Sequence, residues 1–422
     1  MDSECIKEIT YLVGNEEVLK GMTSVPVRVC FDMLVVDFFN ELSRALLTKT
    51  EYRGFPDLLS YGFWVRMANL LTEKERFSGM LRMGKGVAYH IAPSNVPINF
   101  MVSLTSGLLA GNACVVRVSD RDFEQVSILT KEINNILTAK QFQELSRYIC
   151  VIRYPHSREI TDALSRMCDI RIIWGGDRTI GEIRQSPLLP RSQEITFSDR
   201  HSLAVIDVDA YMSMDDAEAE KVARLFYTDT YYSDQNACSS PRLVVWLCSS
   251  NGREVEPDVA EERFWRVLKE LVRKEYTLEP VIAVDKLERF SELITDVELV
   301  RSTGEIRMVD QDPLCMRIFV EKLTPELMSY KMPGGYYFET VMEDLTDFLP
   351  VLGKEAQTVA YLGVDPERII ELVMANGPRG CDRIVPMGHT MDLSFIWDGY
   401  DMIGSMSRVV SIAKPNKGGI DQ

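Results

Sequence analysis

From Gly86 onward the chain alternates short β-rich runs with helical ones, and this alternation constrains the fold more than any other feature. Residues 87–92, 114–118, 150–154, 170–174 and 203–206 read as strands. Between them, apolar spacing predicts helices near 98–110, 123–137 and 158–167, and one from about Arg178. Five strands with four intervening helices indicate an α/β fold built on a parallel, doubly wound sheet. Such sheets bind ligands at the carboxyl ends of their strands.

Ahead of this region, Phe31, Leu34, Val35, Phe38, Phe39, Leu42, Ala45 and Leu46 recur at three- and four-residue spacing, the stripe of a helix packed on a core. A second stripe holds Trp64, Met67, Leu70 and Leu71, again packing residues. After Asp207 the pattern restarts: a helix near 217–227, a polar loop, a strand at 243–247, and a helix opened by Pro257 with Phe264, Val267, Leu268, Leu271 and Val272 on one face. The 422 residues exceed the roughly 250–300 at which one core stops growing, so a second α/β domain is the economical reading. The expected division is 1–207, a helical layer plus a Rossmann-like domain, then 208–389, a second α/β domain. Residues 390–422 would form a return segment, a candidate oligomer contact that ends in a loose tail at 414–419.

A net charge of −16 repels phosphate backbones and anionic headgroups, which disfavours nucleic acid and membrane surfaces as partners. The longest apolar stretch, 96–116, is broken by Pro97, Asn99, Gly107, Gly111 and Asn112 and reads as a buried core element, not a membrane span. The first residues lack a basic segment followed by an apolar one, so a cytoplasmic location is expected. Nine cysteines, at 5, 30, 114, 150, 168, 238, 248, 315 and 381, include no C-x-x-C pair. That argues against a disulfide framework and a zinc site.

Three segments could carry chemistry. The loop 234–242, DQNACSSPR, places Cys238 among small residues just before an apolar strand, where a substrate can reach it and its backbone amide can face an oxyanion. The alternative is an inert buried thiol, because reactivity depends on pKa. Asn95 lies between Pro93 and Pro97 at a strand's carboxyl end, a place for a fixed amide donor or for an ordinary turn. Gly175, Gly176 and Asp177 end a strand and open a helix, a setting that suits a diphosphate, although the run is not G-x-G-x-x-G. Four histidines, at 90, 156, 201 and 389, give no favoured Cys-His pair, and no H-E-x-x-H, P-loop or calcium loop occurs.

In order, these segments resemble the aldehyde dehydrogenase superfamily and, within it, the LuxC family of acyl-CoA and acyl-protein reductases known from the bacterial bioluminescence fatty-acid reductase complex. The resemblance runs from about Gly84 to Arg408. It is carried by HIAPSNVPINF (90–100), LLAGNACVVRVS (108–119), IIWGGDRTIGEIR (172–184), RSQEITFSDRHSLAVID (191–207), DQNACSSPRLVVW (234–246), GYYFETV (335–341) and DLSFIWDGYDMIGSMSR (392–408).

The resemblance implies two doubly wound domains with the active site in the cleft between them, and an NAD(P)H-dependent reductase. Cys238 would carry the acyl group as a thioester, with Asn95 and the Cys238 backbone N–H holding the oxyanion. Arg117 falls where the superfamily has a lysine near the adenosine ribose, Gly176 begins the helix over the diphosphate, and Ile180 would pack on adenine. Glu194 matches the general base of hydrolytic members, although Ile195, Thr196 and Phe197 replace the usual glycines, so it would be turned away or handle protons on the aldehyde oxygen. The glutamate that holds the nicotinamide ribose has no clear match, and Glu339 is the candidate.

NADPH is the expected cofactor, with Arg117 and Arg121 on its 2′-phosphate, while Asp120 argues for NADH. Acyl-CoA or an acylated partner protein, of the acyl-protein synthetase or acyltransferase type, would donate the acyl group, and a homo-oligomer is expected. Two rivals stand beside this reading. One is a hydrolytic aldehyde dehydrogenase that uses Glu194 to activate water. The other is a carrier or scaffold acylated on Cys238 that performs no reduction.

Overall fold

In the computed structural model, which describes residues 8–248 and 256–413, the chain divides into two units, with breaks at Ser198/Asp199 and Asp392/Leu393. The first unit is built on a six-stranded sheet. Its strands are β1 (Thr10–Val13), β3 (Val87–Ile91), β4 (Ala113–Arg117), β5 (Ile149–Arg153), β6 (Ile170–Trp174) and β7 (Gln193–Phe197), while β2 (Arg82–Gly84) lies outside it. The order is β1-β5-β4-β3-β6-β7, parallel throughout except for β1, which runs antiparallel to β5. The central strands are apolar along their length, as a sheet covered on both faces requires: all five residues of β3 and of β6 are buried.

Strand order reverses at β3. The path β3-β4-β5 runs to one side and β6-β7 to the other, so the switch point lies at the carboxyl ends of β3 and β6. The apolar stretch 96–116 is a crossover, as expected: the helix Asn99–Leu109, buried nearly all round, leads into β4. Among the described residues no helix is long and apolar enough to cross a membrane.

Two expectations are corrected here. The run 203–206 does form a strand, β8 (His201–Asp207), but β8 belongs to the sheet of the second unit. The fifth parallel strand of the first sheet is β7, an edge strand in which Ile195 and Phe197 are buried while Gln193 is exposed and Glu194 and Thr196 are half-buried, so it shows no continuous apolar run. The segment after Asp392 is no separate piece: it completes the first unit. Its strand Ser407–Val409 pairs with β2, Arg82 donates to Ser407 Oγ (2.8 Å) and Gly404 O (2.6 Å), and Met402, Ile403 and Met406 are buried. The run 414–419 lies outside the described residues.

The second unit holds a seven-stranded sheet of β8, β9 (Pro241–Leu247), β10 (Ile306–Asp310), β11 (Met316–Val320), β12 (Tyr336–Met342), β13 (Ala356–Leu362) and β14 (Arg383–Pro386), in the order β10-β11-β12-β9-β8-β13-β14. Only β10 is antiparallel. Because side chains alternate along a strand, Leu243, Val245 and Leu247 face one core while Val244 and Trp246 face the other. The helix Pro257–Glu275 covers that other face with Ala260, Phe264, Trp265, Leu268 and Val272. Each fully buried large apolar side chain of this kind contributes about 1.5–3 kcal/mol. The helix Asp216–Thr230, started by a capping box between Asp215 and Glu218, delivers the chain to the loop that carries Cys238.

Candidate active site

The Cys238 loop is held by side chains that take backbone groups as their partners. Asp234 and Gln235 adopt left-handed φ values of 52° and 56°, a conformation that non-glycine residues keep only where the surroundings enforce it. Gln235 is buried and uses its whole amide. Its Oε1 accepts from the N–H groups of Gly335 and Tyr336 (both 3.0 Å), and its Nε2 donates to Pro241 O (3.0 Å) and Tyr336 O (3.2 Å). Gly335, at φ 89°, has no room for a side chain, since an added Cβ would meet Leu314 O at 2.2 Å. Ser202 Oγ donates to Cys238 O (2.7 Å) and accepts from Thr358 N (3.1 Å), tying the loop to β8 and β13.

Arg242 closes the loop from its far end. It is 6% exposed, and its Nη2 and Nη1 donate to Gln235 O (2.6 Å) and Met332 O (2.8 Å). Burial pulls the guanidinium down to about 10, and Cys238 in its ionised form opposes that pull. The sequence reading missed Gln235, Ser202 and Arg242. The available signal for Arg242 was a charged residue inside a strand that is otherwise apolar and buried along its length.

Cys238 itself is half-buried, whereas Cys114, Cys150 and Cys248 are buried. Burial pushes the Cys150 thiol up to about 12 and raises Cys114 as well, which leaves both inert. None of the described cysteines is in a disulfide.

In the first unit, three loops leave the carboxyl edge of the sheet around the switch point. The loop after β3 carries Asn95, which is exposed. Arg117 ends β4 with its guanidinium 4.8 Å from the Tyr154 ring centre, its Nη2 donating to Tyr154 O (3.3 Å), and its buried Nε without a partner. Asp120 and Arg121 follow, both exposed, with Arg121 Nη1 3.5 Å from Ser94 O in the neighbouring loop. Gly175, Gly176 and Asp177 follow β6, and Gly176 caps the helix Asp177–Ile183. The structure therefore brings Asn95, Arg117, Asp120, Arg121, Gly175, Gly176 and Asp177 to one edge.

Three candidates fall elsewhere. Ile180 is 4% exposed and packs into the core of its unit, leaving almost no face for an adenine. Glu194 pairs in register with Arg171 near the amino ends of β7 and β6, the opposite edge of the sheet. Both its oxygens are taken: Oε2 by Arg171 Nε (2.9 Å) and Nη2 (2.5 Å), and Oε1 by Arg184 Nε (2.7 Å). Glu339 is fully buried in β12, where Oε2 accepts from Trp265 Nε1 (2.8 Å) and Oε1 from Arg317 Nε (3.1 Å). It is half of a core ion pair and has no surface to offer a ribose. Among the histidines, His90 and His201 are buried and His389 pairs with Asp392 (2.8 Å).

Residues 62–295, more than half the chain and spanning both Asn95 and Cys238, match the family described as acyl-CoA reductase (LuxC). The chain belongs to the LuxC family. It is similar to the long-chain acyl-protein thioester reductases of Aliivibrio fischeri (26% identical over 166 residues, 39% of this chain and 32% of the relative) and Vibrio harveyi (29% over 164 residues, 38% and 32%). These matches span about a third of the relatives' length.

Among solved structures, this LuxC-family chain resembles aldehyde dehydrogenase 21 from Physcomitrella patens, at TM-score 0.59 and 12% identity over 96% of this chain and 86% of that one. It also resembles a salicylaldehyde dehydrogenase from Pseudomonas putida G7, at TM-score 0.59 and 14% identity over 96% and 90%. The fold is that of the aldehyde dehydrogenases.

Proposed function

We propose that this LuxC-family protein reduces acyl thioesters to aldehydes, with Cys238 as the acyl-carrying nucleophile. The observation that supports this most is the Cys238 loop: a half-buried cysteine on a strained turn, pinned by Gln235, Ser202 and Arg242 and so prepared for attack without reorganisation. The Cys238 thiolate takes the acyl group from its donor and the donor's thiol leaves, which splits one difficult reduction into two easier steps. Asn95 and the Cys238 backbone N–H are the donors expected at the acyl oxygen as charge develops there.

A nicotinamide cofactor, which supplies hydride when bound, fits the switch-point edge of the first unit. There the buried, unpartnered Nε of Arg117 offers a donor for an anionic group. Gly175, Gly176 and Asp177 would hold the diphosphate, and Arg117 with Arg121 would favour NADPH over NADH against the opposing Asp120. The acyl donor is acyl-CoA or an acylated partner protein. A cytoplasmic location and a homo-oligomer go with this reading. The hydrolytic alternative loses its base, because Glu194 is locked between Arg171 and Arg184.

Intact mass after incubation with a panel of acyl-CoAs and an acylated carrier protein, before and after addition of NADPH, tests the proposal. Wild-type protein and Cys248→Ala should gain one acyl group and lose it as aldehyde on reduction, while Cys238→Ala should gain none. An acyl adduct on Cys238→Ala would overturn the nucleophile, and an adduct that NADPH and NADH both leave in place would overturn the reduction.

A further inference from the structure

Arg242 is the second residue of β9, whose other six positions are Pro, Leu, Val, Val, Trp and Leu. Desolvating a guanidinium there carries a penalty that an apolar residue would not. Its two hydrogen bonds go to neutral carbonyls, those of Gln235 and Met332, and its Nε is buried without a partner. Among the described residues no carboxylate forms an ion pair with it. Neutral carbonyls alone compensate a buried charge poorly. The bond to Gln235 O joins the two ends of the eight-residue segment 235–242, of which Cys238 is the fourth residue.

We propose that Arg242 is the counter-charge that holds Cys238 as a thiolate, a positioning residue for acyl transfer that acts through the nucleophile of its own loop. The proposal rests on the reading of Cys238 as the acyl carrier. The ionisable groups that face the guanidinium are Cys238 first, then Tyr337 and Asp199; each, when ionised, pushes it up against the larger, opposing effect of burial, which also keeps Tyr337 neutral. Coulomb attraction is mutual, so what Cys238 does for Arg242, Arg242 does for the thiolate. The thiol proton passes to bulk water, and the sulfur keeps the electron pair that attacks the acyl carbon. The positive charge is what the thiolate needs, whereas joining the two ends of the segment needs only a donor to Gln235 O. The two roles can therefore be separated.

The test is the pH profile of iodoacetamide alkylation at Cys238, read by peptide mass in wild type, Arg242→Lys and Arg242→Gln. Loss of the charge should raise the alkylation midpoint of Arg242→Gln by about one pH unit and slow alkylation about tenfold at pH 7, while Arg242→Lys stays within about threefold of wild type. A glutamine profile that superimposes on wild type, or equal shifts in both variants, would overturn the proposal.

Should Arg242→Gln not fold, wild-type protein with ¹⁵N-labelled arginine decides. The Arg242 Nε–H signal should titrate with the alkylation midpoint and stand still in Cys238→Ala, and a signal indifferent to Cys238 would refute the coupling. Alkylation requires no acyl transfer. Failure of Cys238 to acquire an acyl group would thus sink the nucleophile reading while leaving the Arg242 measurement intact, and the converse holds.

Discussion

Replacing Glu339 by alanine separates a core ion pair from a cofactor ligand. The carboxylate is fully buried, its partner Arg317 is buried with it, and Trp265 Nε1 donates to Oε2. Breaking a buried pair by removing one partner costs about 3–5 kcal/mol. Arg317 is not abandoned, however, because Glu262 lies at 3.1 Å and Glu261 at 3.5 Å. Burial and then the charge of Glu339 raise Glu261 to about 7, against the pull of Arg317; without Glu339, Glu261 becomes the better partner. These remaining carboxylates place the loss at the low end, about 3 kcal/mol, with part of it due to the orphaned Trp265 N–H.

With a urea slope of roughly 2–3 kcal/mol per M for a unit of this size, the unfolding midpoint of the second unit should fall by about 1–1.5 M. Tryptophan emission follows the transition, since Trp246 and Trp265 both lie in that unit's core. Under native conditions the KM for the nicotinamide cofactor should stay within twofold of wild type. An unchanged midpoint with a cofactor KM raised tenfold or more would show that Glu339 binds the cofactor and that the packing argument is wrong.

Asn95→Ala should fold normally and lose about 10²–10³ in kcat, the usual effect of deleting one oxyanion donor; an unchanged kcat at saturating substrate dismisses the role. Asp120→Ser should widen a preference for NADPH measured as the kcat/KM ratio of the two cofactors, and a clear NADH preference that the variant leaves unaltered refutes both the preference and its cause. Burial raises Asp229 to about 6, against its hydrogen bonds from Gly388 and Thr390 and the charge of His389. Between its unfolded value near 3.9 and about 6 the folded state therefore binds more protons than the unfolded one, so this contribution to stability falls as pH rises through that window. Asp229→Asn should flatten that slope in urea titrations at pH 4.5 and 6.5; a slope equal to wild type rules out Asp229 as its source.

The strands buried on both faces were legible because doubly covered strands are written as unbroken apolar runs: β3, β4, β5, β6 and β9 all read directly. Strand β7 was not legible, since an edge covered on one side spells Gln193, Glu194, Ile195, Thr196, Phe197. Strand β8 was legible as a strand, but its partners β9 and β13 were not, because apolarity names no neighbour. In the site, Cys238 and Asn95 stood out by residue type and by their surroundings of small residues and prolines. The residues that fix the Cys238 loop did not, because Gln235 reaches Gly335 and Tyr336 across a hundred residues of sequence and acts on backbone groups common to every residue. The same distance hid the partners of Glu339, since nothing local in GYYFETV announces Trp265 or Arg317.

The first unit borrows its last pieces from the far end of the sequence, and this sets an order of events during synthesis. As the ribosome moves past Ser198 the six-stranded sheet can form, yet β2, bridged to Val29 on one side, still lacks the strand Ser407–Val409 on the other, and the surface that will receive Met402, Ile403 and Met406 is open to water. The whole of 199–392 must be made in the meantime, about 10–40 s at ordinary elongation rates of 5–20 residues per second. The inserted unit can thus finish folding before the one that began first. The greasy notch waiting for residues 402–406 is a place where a nascent chain would call on a chaperone.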